Sequence, residues 1–141
     1  MLTVAEVYAY INHCAPFDTQ LDFDNAGLLT GTMAQEVTGI HVALDCTEEV
    51  LTEALERGAN LIITHHPLMF HARKRLTEED AEGRLLCRLI RERVALIAAH
   101  TNLDRAVGGI NDVLAEVCGL CDPFGSDFLR VGTLQAPLTA G

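Results

Sequence analysis

Three short apolar runs, each released into a residue that can ligate a metal, constrain this chain more than any other feature. Ile40-His41-Val42-Ala43-Leu44 ends at Asp45, and Leu61-Ile62-Ile63-Thr64 ends at His65-His66 and Pro67. Val94 to Ala99 ends at His100, with Asp104 four residues later. Near-continuous apolar runs of this length read as strands covered on both faces. The segments between them have helical spacing. Thr47 reads as an N-cap, with Glu48 and Glu49 in the first turn, where the helix dipole favours acid. That helix presents Val50, Leu51, Ala54 and Leu55 and stops at Gly58. Thr77, with Asp80 following as in a capping box, is expected to start the next helix, whose apolar positions are Leu85, Leu86, Leu89 and Ile90.

Strand, helix, strand, helix, strand implies an α/β fold: a mostly parallel sheet of βαβ units flanked by helices. Before this core, Thr3 caps a helix of about eleven residues carrying Val4, Val7, Tyr8 and Ile11, which Pro16 ends. After it, a helix is expected over 110–117 with a stop at Gly119, and a last strand over 128–134. The length, 141 residues, suits a single domain spanning 1–141.

In open α/β sheets, ligands bind outside the carboxyl ends of the strands. Those ends gather Asp45, His65, His66, His100 and Asp104 on one rim, which makes a metal site the expectation. Adjacent side chains on an extended chain point to opposite sides, and Pro67 biases His66 toward extended backbone. On that basis His65 and His66 face different ions, or one is a ligand and the other a base. His13 and His41 lie outside the set, His71 reads as an exposed loop residue, and Asp22 and Asp24 as solvated or capping acids.

Composition removes several alternatives. A formal charge of −10 argues against a nucleic-acid surface. The basic stretch Arg73-Lys74-Arg75 reads as a solvated loop. Glu6 interrupts any signal-peptide core, and no run approaches the ~20 apolar residues of a membrane span. A cytoplasmic protein is therefore expected, with its five cysteines reduced. Cys118-Gly119-Leu120-Cys121 has no second CxxC to complete a metal site, so Cys118 is placed at a helix end and Cys121 in the turn. GxxxxGK[ST], GxSxG and HExxH motifs are absent.

Five blocks carry a resemblance: Asp24-Asn25-Ala26-Gly27-Leu28, Ala43-Leu44-Asp45, Thr64 to Phe70, His100-Thr101-Asn102-Leu103-Asp104 and Gly108 to Asp112. Together they resemble the Nif-three-like dinuclear-metal family, whose members carry the label GTP cyclohydrolase I type 2 homologue. Phe23 stands where the family usually has Trp. The resemblance implies two divalent ions (Zn, Fe or Mn), with His65, His66 and Asp104 as ligands and His100 beside them. Asp45 is a reasonable partner behind a ligand histidine. It also implies a metal-dependent hydrolase of a small phosphate- or nucleotide-type substrate, and a homo-oligomer, usually a ring-shaped hexamer built from dimers. The family completes its centre with a later H-x-x-x-E pattern, whereas this chain has no histidine after His100. The expectation is thus an N-terminal portion of the family that holds metal more weakly and exposes sheet edge or apolar surface. The competing expectation is a non-catalytic metal-binding or protein-interaction module.

Overall fold

The structure is a computed structural model that describes residues 1–136. A four-stranded sheet forms its centre, built from β1 (Gly27–Thr30), β2 (Ile40–Ala43), β3 (Leu61–Thr64) and β4 (Ala95–Ala98) in the order β1-β4-β3-β2. The β2, β3 and β4 strands are parallel, and β1 runs antiparallel against β4. The mostly parallel α/β sheet expected from the alternation of runs is what the chain forms.

Alternation along the strands divides the core in two. Leu61, Ala95 and Ile97 face α1 (Val4–Cys14) and pack with its Val4 and Val7 and with Phe17. Ile62 and Leu96 face the other side and pack with Leu51 and Ala54 of α2 (Glu48–Glu56) and Leu85 and Leu89 of α3 (Ala81–Arg91). The layers are therefore helix, sheet, helices. Thr3 caps α1 as expected, in a full capping box: its hydroxyl accepts from the Glu6 N–H while the Glu6 carboxylate accepts from the Thr3 N–H. Thr47 caps α2 through its hydroxyl alone, accepting from the Val50 N–H.

The start of α3 departs from the expectation. Its N-cap is Asp80, not Thr77. The Asp80 carboxylate accepts from the Gly83 N–H at 2.7 Å and pairs with Arg73 at 2.6 Å. An acid that also binds a cation outcompetes a hydroxyl for the cap. Thr77 instead lays its carbonyl against Gly83, where a Cβ would stand 2.0 Å from that oxygen. Arg73 is for the same reason not a freely solvated cation, since it also pairs with Glu82 at 2.9 Å.

After β4 come α4 (Thr101–Arg105), α5 (Ile110–Val117) and a separate antiparallel pair, β5 (Leu120–Phe124) and β6 (Val131–Leu134). The final strand is shorter than expected, and its partner strand occupies the segment read as a turn. Cys121 accordingly lies half-buried in β5, where it pairs with Thr133. Cys118 is the exposed C-cap of α5. Among the described residues no helix is long and apolar enough to cross a membrane.

Candidate metal centre

Strand register brings the rim together. Ala43 pairs with Thr64, and Thr64 with Ala98, so the three parallel strands end flush. Asp45, the His65-His66 pair and His100 leave the sheet from that level. Because β1 is antiparallel, its first residue, Gly27, pairs with Ala98, and the loop carrying Asp24 arrives at the same edge.

The two adjacent histidines do not diverge as extended alternation predicts. The chain bends at His65 and His66. The Thr64 hydroxyl donates to the His66 carbonyl at 2.9 Å, and the His66 N–H donates to the Leu44 carbonyl at 3.0 Å. These bonds end the pleat one residue before the pair, and the rings lie with centroids 5.0 Å apart. The His100 ring lies 5.0 Å from that of His65 and 5.6 Å from that of His66. One ligand nitrogen from each of the three lies within 4.8 Å of the other two. The three rings are therefore close enough to share an ion, and what the bend overturns is the expectation that the adjacent side chains of His65 and His66 point to opposite sides.

Each ring is held from behind by an oxygen. His65 Nδ1 is 2.9 Å from the Ala99 carbonyl, His66 Nδ1 is 2.8 Å from Asp45 Oδ1, and His100 Nδ1 is 2.8 Å from Asp24 Oδ1. Carbonyls and carboxylates only accept, so each Nδ1 carries the proton and donates it, which leaves Nε2 with its lone pair free. This is the bonding that orients a metal-ligating imidazole and raises its basicity. Asp104, on the first turn of α4, places Oδ1 3.7 Å from His65 Nε2, on the side of the free lone pair. Three imidazoles and a carboxylate form a donor set that suits Zn, Fe or Mn.

The residue that the sequence reading missed is Asp24. Its side chain is 0% exposed. Besides His100, it accepts from the Thr101 N–H at 3.0 Å and from the Thr101 hydroxyl. Burial pushes the Asp24 carboxyl up, but the hydrogen bonds from Thr101, His100 and the Asn25 N–H together outweigh it and hold it below the ordinary carboxylate range. The Asp24-Asn25-Ala26-Gly27-Leu28 block was the available signal, because an acid just before a strand that starts at the rim is placed to reach it. Asp22, Phe23 and His71 are exposed. Phe23 and Phe70 meet edge to face at 6.1 Å, and the Phe70 ring lies 6.3 Å from that of His100. His13 lies in the last turn of α1, and His41 sits in β2, 3.9 Å from Glu53. Cys46, just past Asp45, is buried, and burial together with the charge of Glu48 pushes its thiol up to about 12, which keeps it a protonated thiol at neutral pH.

The same arrangement of elements recurs in known proteins. The chain is 44% identical over 114 residues to a Clostridium perfringens protein named GTP cyclohydrolase 1 type 2 homolog, covering 81% of this chain and 44% of that one. It is 44% identical over 119 residues to the Staphylococcus aureus (strain COL) protein of the same name, covering 84% of this chain and 32% of that one. Thus it spans less than half the length of these relatives. The crystal structure of a Staphylococcus aureus protein superposes with a TM-score of 0.82 at 43% identity, over 86% of this chain and 35% of that one. That of a Bacillus cereus protein related to NIF3 superposes with a TM-score of 0.83 at 38% identity, over 88% of this chain and 34% of that one. A family model described as Duf34/NIF3 (NGG1p interacting factor 3) matches residues 2–141, and the chain belongs to that family.

Proposed function

We propose that this chain binds divalent metal through His65, His66, His100 and Asp104, and that it supplies this part of the centre of a metal-dependent hydrolase acting on a small phosphate- or nucleotide-bearing molecule. The observation that carries the reading is the common bonding of the three histidines, whose Nδ1 protons all point away from the cluster toward fixed oxygens. A structural histidine has no need of a carboxylate behind it and two more imidazoles in front. The names of the relatives, GTP cyclohydrolase 1 type 2 homolog, support the substrate class. A bound divalent ion would polarise a phosphoryl or carbonyl oxygen and lower the pKa of water. Around it, Ala99, Asp45 and Asp24 orient the rings, and Asp104 sets a negative charge at the open side of His65. A second ion, association into a homo-oligomer and a cytoplasmic location belong to this proposal.

Elemental analysis of the purified chain reads metal per protomer directly, and two per protomer supports the dinuclear form. Hydrolysis of phosphate esters and ring opening of GTP are then followed with Zn, Fe or Mn added. Both metal and turnover should be lost in the double variant His65→Ala, His66→Ala. Turnover that survives that variant sinks the hydrolase reading, and metal bound without turnover favours the non-catalytic binding module.

A further inference from the structure

Away from the histidine cluster, a cleft of about 1020 Å³ opens between β1, the end of the loop after β3, and α3. Its apolar lining is Leu29, Leu76, Leu86, Leu89, Ile90 and Val94, with Leu76 and Ile90 exposed on its flanks and Leu86, Leu89 and Val94 buried at its base. Its rim is cationic, with Arg73, Lys74, Arg75 and Arg93, and no Asp or Glu lines it. The whole chain has 20 acidic residues against 10 Lys and Arg. A cleft that takes four of the bases and none of the acids runs against the charge balance of the protein. None of His65, His66, His100 or Asp104 lines it.

The cations are not equivalent. Arg73 is committed to Asp80 and Glu82 at 2.6 and 2.9 Å. That clamp fastens the loop to the first turn of α3 and so fixes where the two following residues emerge. Lys74, Arg75 and Arg93 are exposed and, among the described residues, form no salt bridge. Arg93 is anchored by its backbone, since the Gln35 amide donates to its carbonyl at 3.1 Å while also donating to the Asn60 carbonyl at 2.9 Å. A site of this size with an apolar body and a few convergent polar groups is the usual form of a small-molecule pocket. Low-dielectric walls beneath unpaired cations focus the field on an incoming anion.

We propose that this cleft binds a small organic anion with an extended apolar body, a long-chain carboxylate or phosphate monoester. Its head is held by Lys74, Arg75 and Arg93, and its tail lies along the apolar lining. The source proposed is a free amphiphile and not a membrane, and the monomeric ester and the vesicles in the test below separate the two.

Titration calorimetry with monomeric dodecyl phosphate, below its critical micelle concentration and at low ionic strength, tests the proposal. One molecule should bind per chain with micromolar affinity, on the order of a thousandfold tighter than millimolar surface adsorption. The double variant Lys74→Glu, Arg75→Glu should weaken binding on the order of tenfold or more, and added salt should weaken it further. Ile90→Glu, on the exposed flank of the lining, should weaken it as well. Circular dichroism of each variant checks that the fold is kept. Dodecyltrimethylammonium, which carries the same tail and the opposite charge, should not bind. The proposal is overturned by equal affinity for that cation or for dodecanol, by unchanged binding in the charge-reversed variant, or by no binding up to the millimolar range. Capture by phosphatidylglycerol vesicles without binding of the monomeric ester overturns it too.

Discussion

At the scale of single residues, the proposed centre depends on what stands behind each candidate ligand as much as on those residues themselves. His66 and His100 both donate to a carboxylate, yet the two carboxylates differ in setting. The Asp45 side chain is 54% exposed, whereas that of Asp24 is 0% exposed and also accepts from Thr101. Asp24→Ala should therefore cost both metal affinity and stability: about 10- to 100-fold in metal affinity, and about 1–3 kcal/mol of folding stability from donors left unpaired. Asp45→Ala should cost metal affinity with little change in stability, because water replaces an exposed acceptor. Metal titration and denaturant unfolding of both variants check the pair of outcomes, and equal destabilisation by the two would contradict it. That His65, His66, His100 and Asp104 gather on one rim was legible in the sequence, since residues that follow the ends of parallel strands share an edge. So was Asp45, as a reasonable partner for one of them. Asp24 was not legible as a residue behind His100, because the two are 76 positions apart.

At the scale of elements, the strength of the local signal decided what could be read. The helices over 4–14 and 110–117 and the β3 strand have the expected bounds, each set by a cap, a glycine or an apolar run. The four residues of β1 lie behind a polar acidic segment and have no periodicity of their own. Pairing with β4 makes them a strand. The α3 helix gives the sharpest prediction here. Alanine has the higher helix propensity by about 1 kcal/mol, so propensity alone makes Gly83→Ala stabilising. Packing reverses the sign, because the new Cβ would stand 2.0 Å from the Thr77 carbonyl oxygen. A lowered melting temperature for Gly83→Ala is expected, and a raised one would mean that the loop does not pack on the helix as described. The Asp80 cap adds a pH dependence. The hydrogen bond from Arg73, with that from the Gly83 N–H, holds its carboxyl below the ordinary carboxylate range. A depressed pKa means that the stabilisation is fully present above the unfolded value and is lost as pH falls through the folded one. Thermal melts of the parent chain and Asp80→Asn should thus differ at neutral pH and converge in strong acid.

At the scale of the whole molecule, one edge of the sheet is left open. β2 is an edge strand, and Ile40, Val42 and Leu44 are 43%, 72% and 60% exposed. An open edge carrying such residues templates pairing with another chain. Sedimentation should show concentration-dependent association with further copies, and Val42→Lys should reduce it; a monomer at all concentrations would contradict this. An exposed edge was expected from the resemblance, whereas the cleft beside β1 was not, because its walls come from segments with no common pattern.

The reversed direction of β1 also has a bearing on time. Parallel pairing of β3 with β4 joins neighbouring segments of the chain, but the Asp24 bond to His100 must close a loop of 76 residues. Contacts between distant segments wait until the chain between them has been ordered. The carboxylate that fixes the His100 ring is then among the last groups to arrive. During refolding, helical signal should return before the tight metal uptake proposed for the cluster, which would then serve as a clock on completion of the sheet.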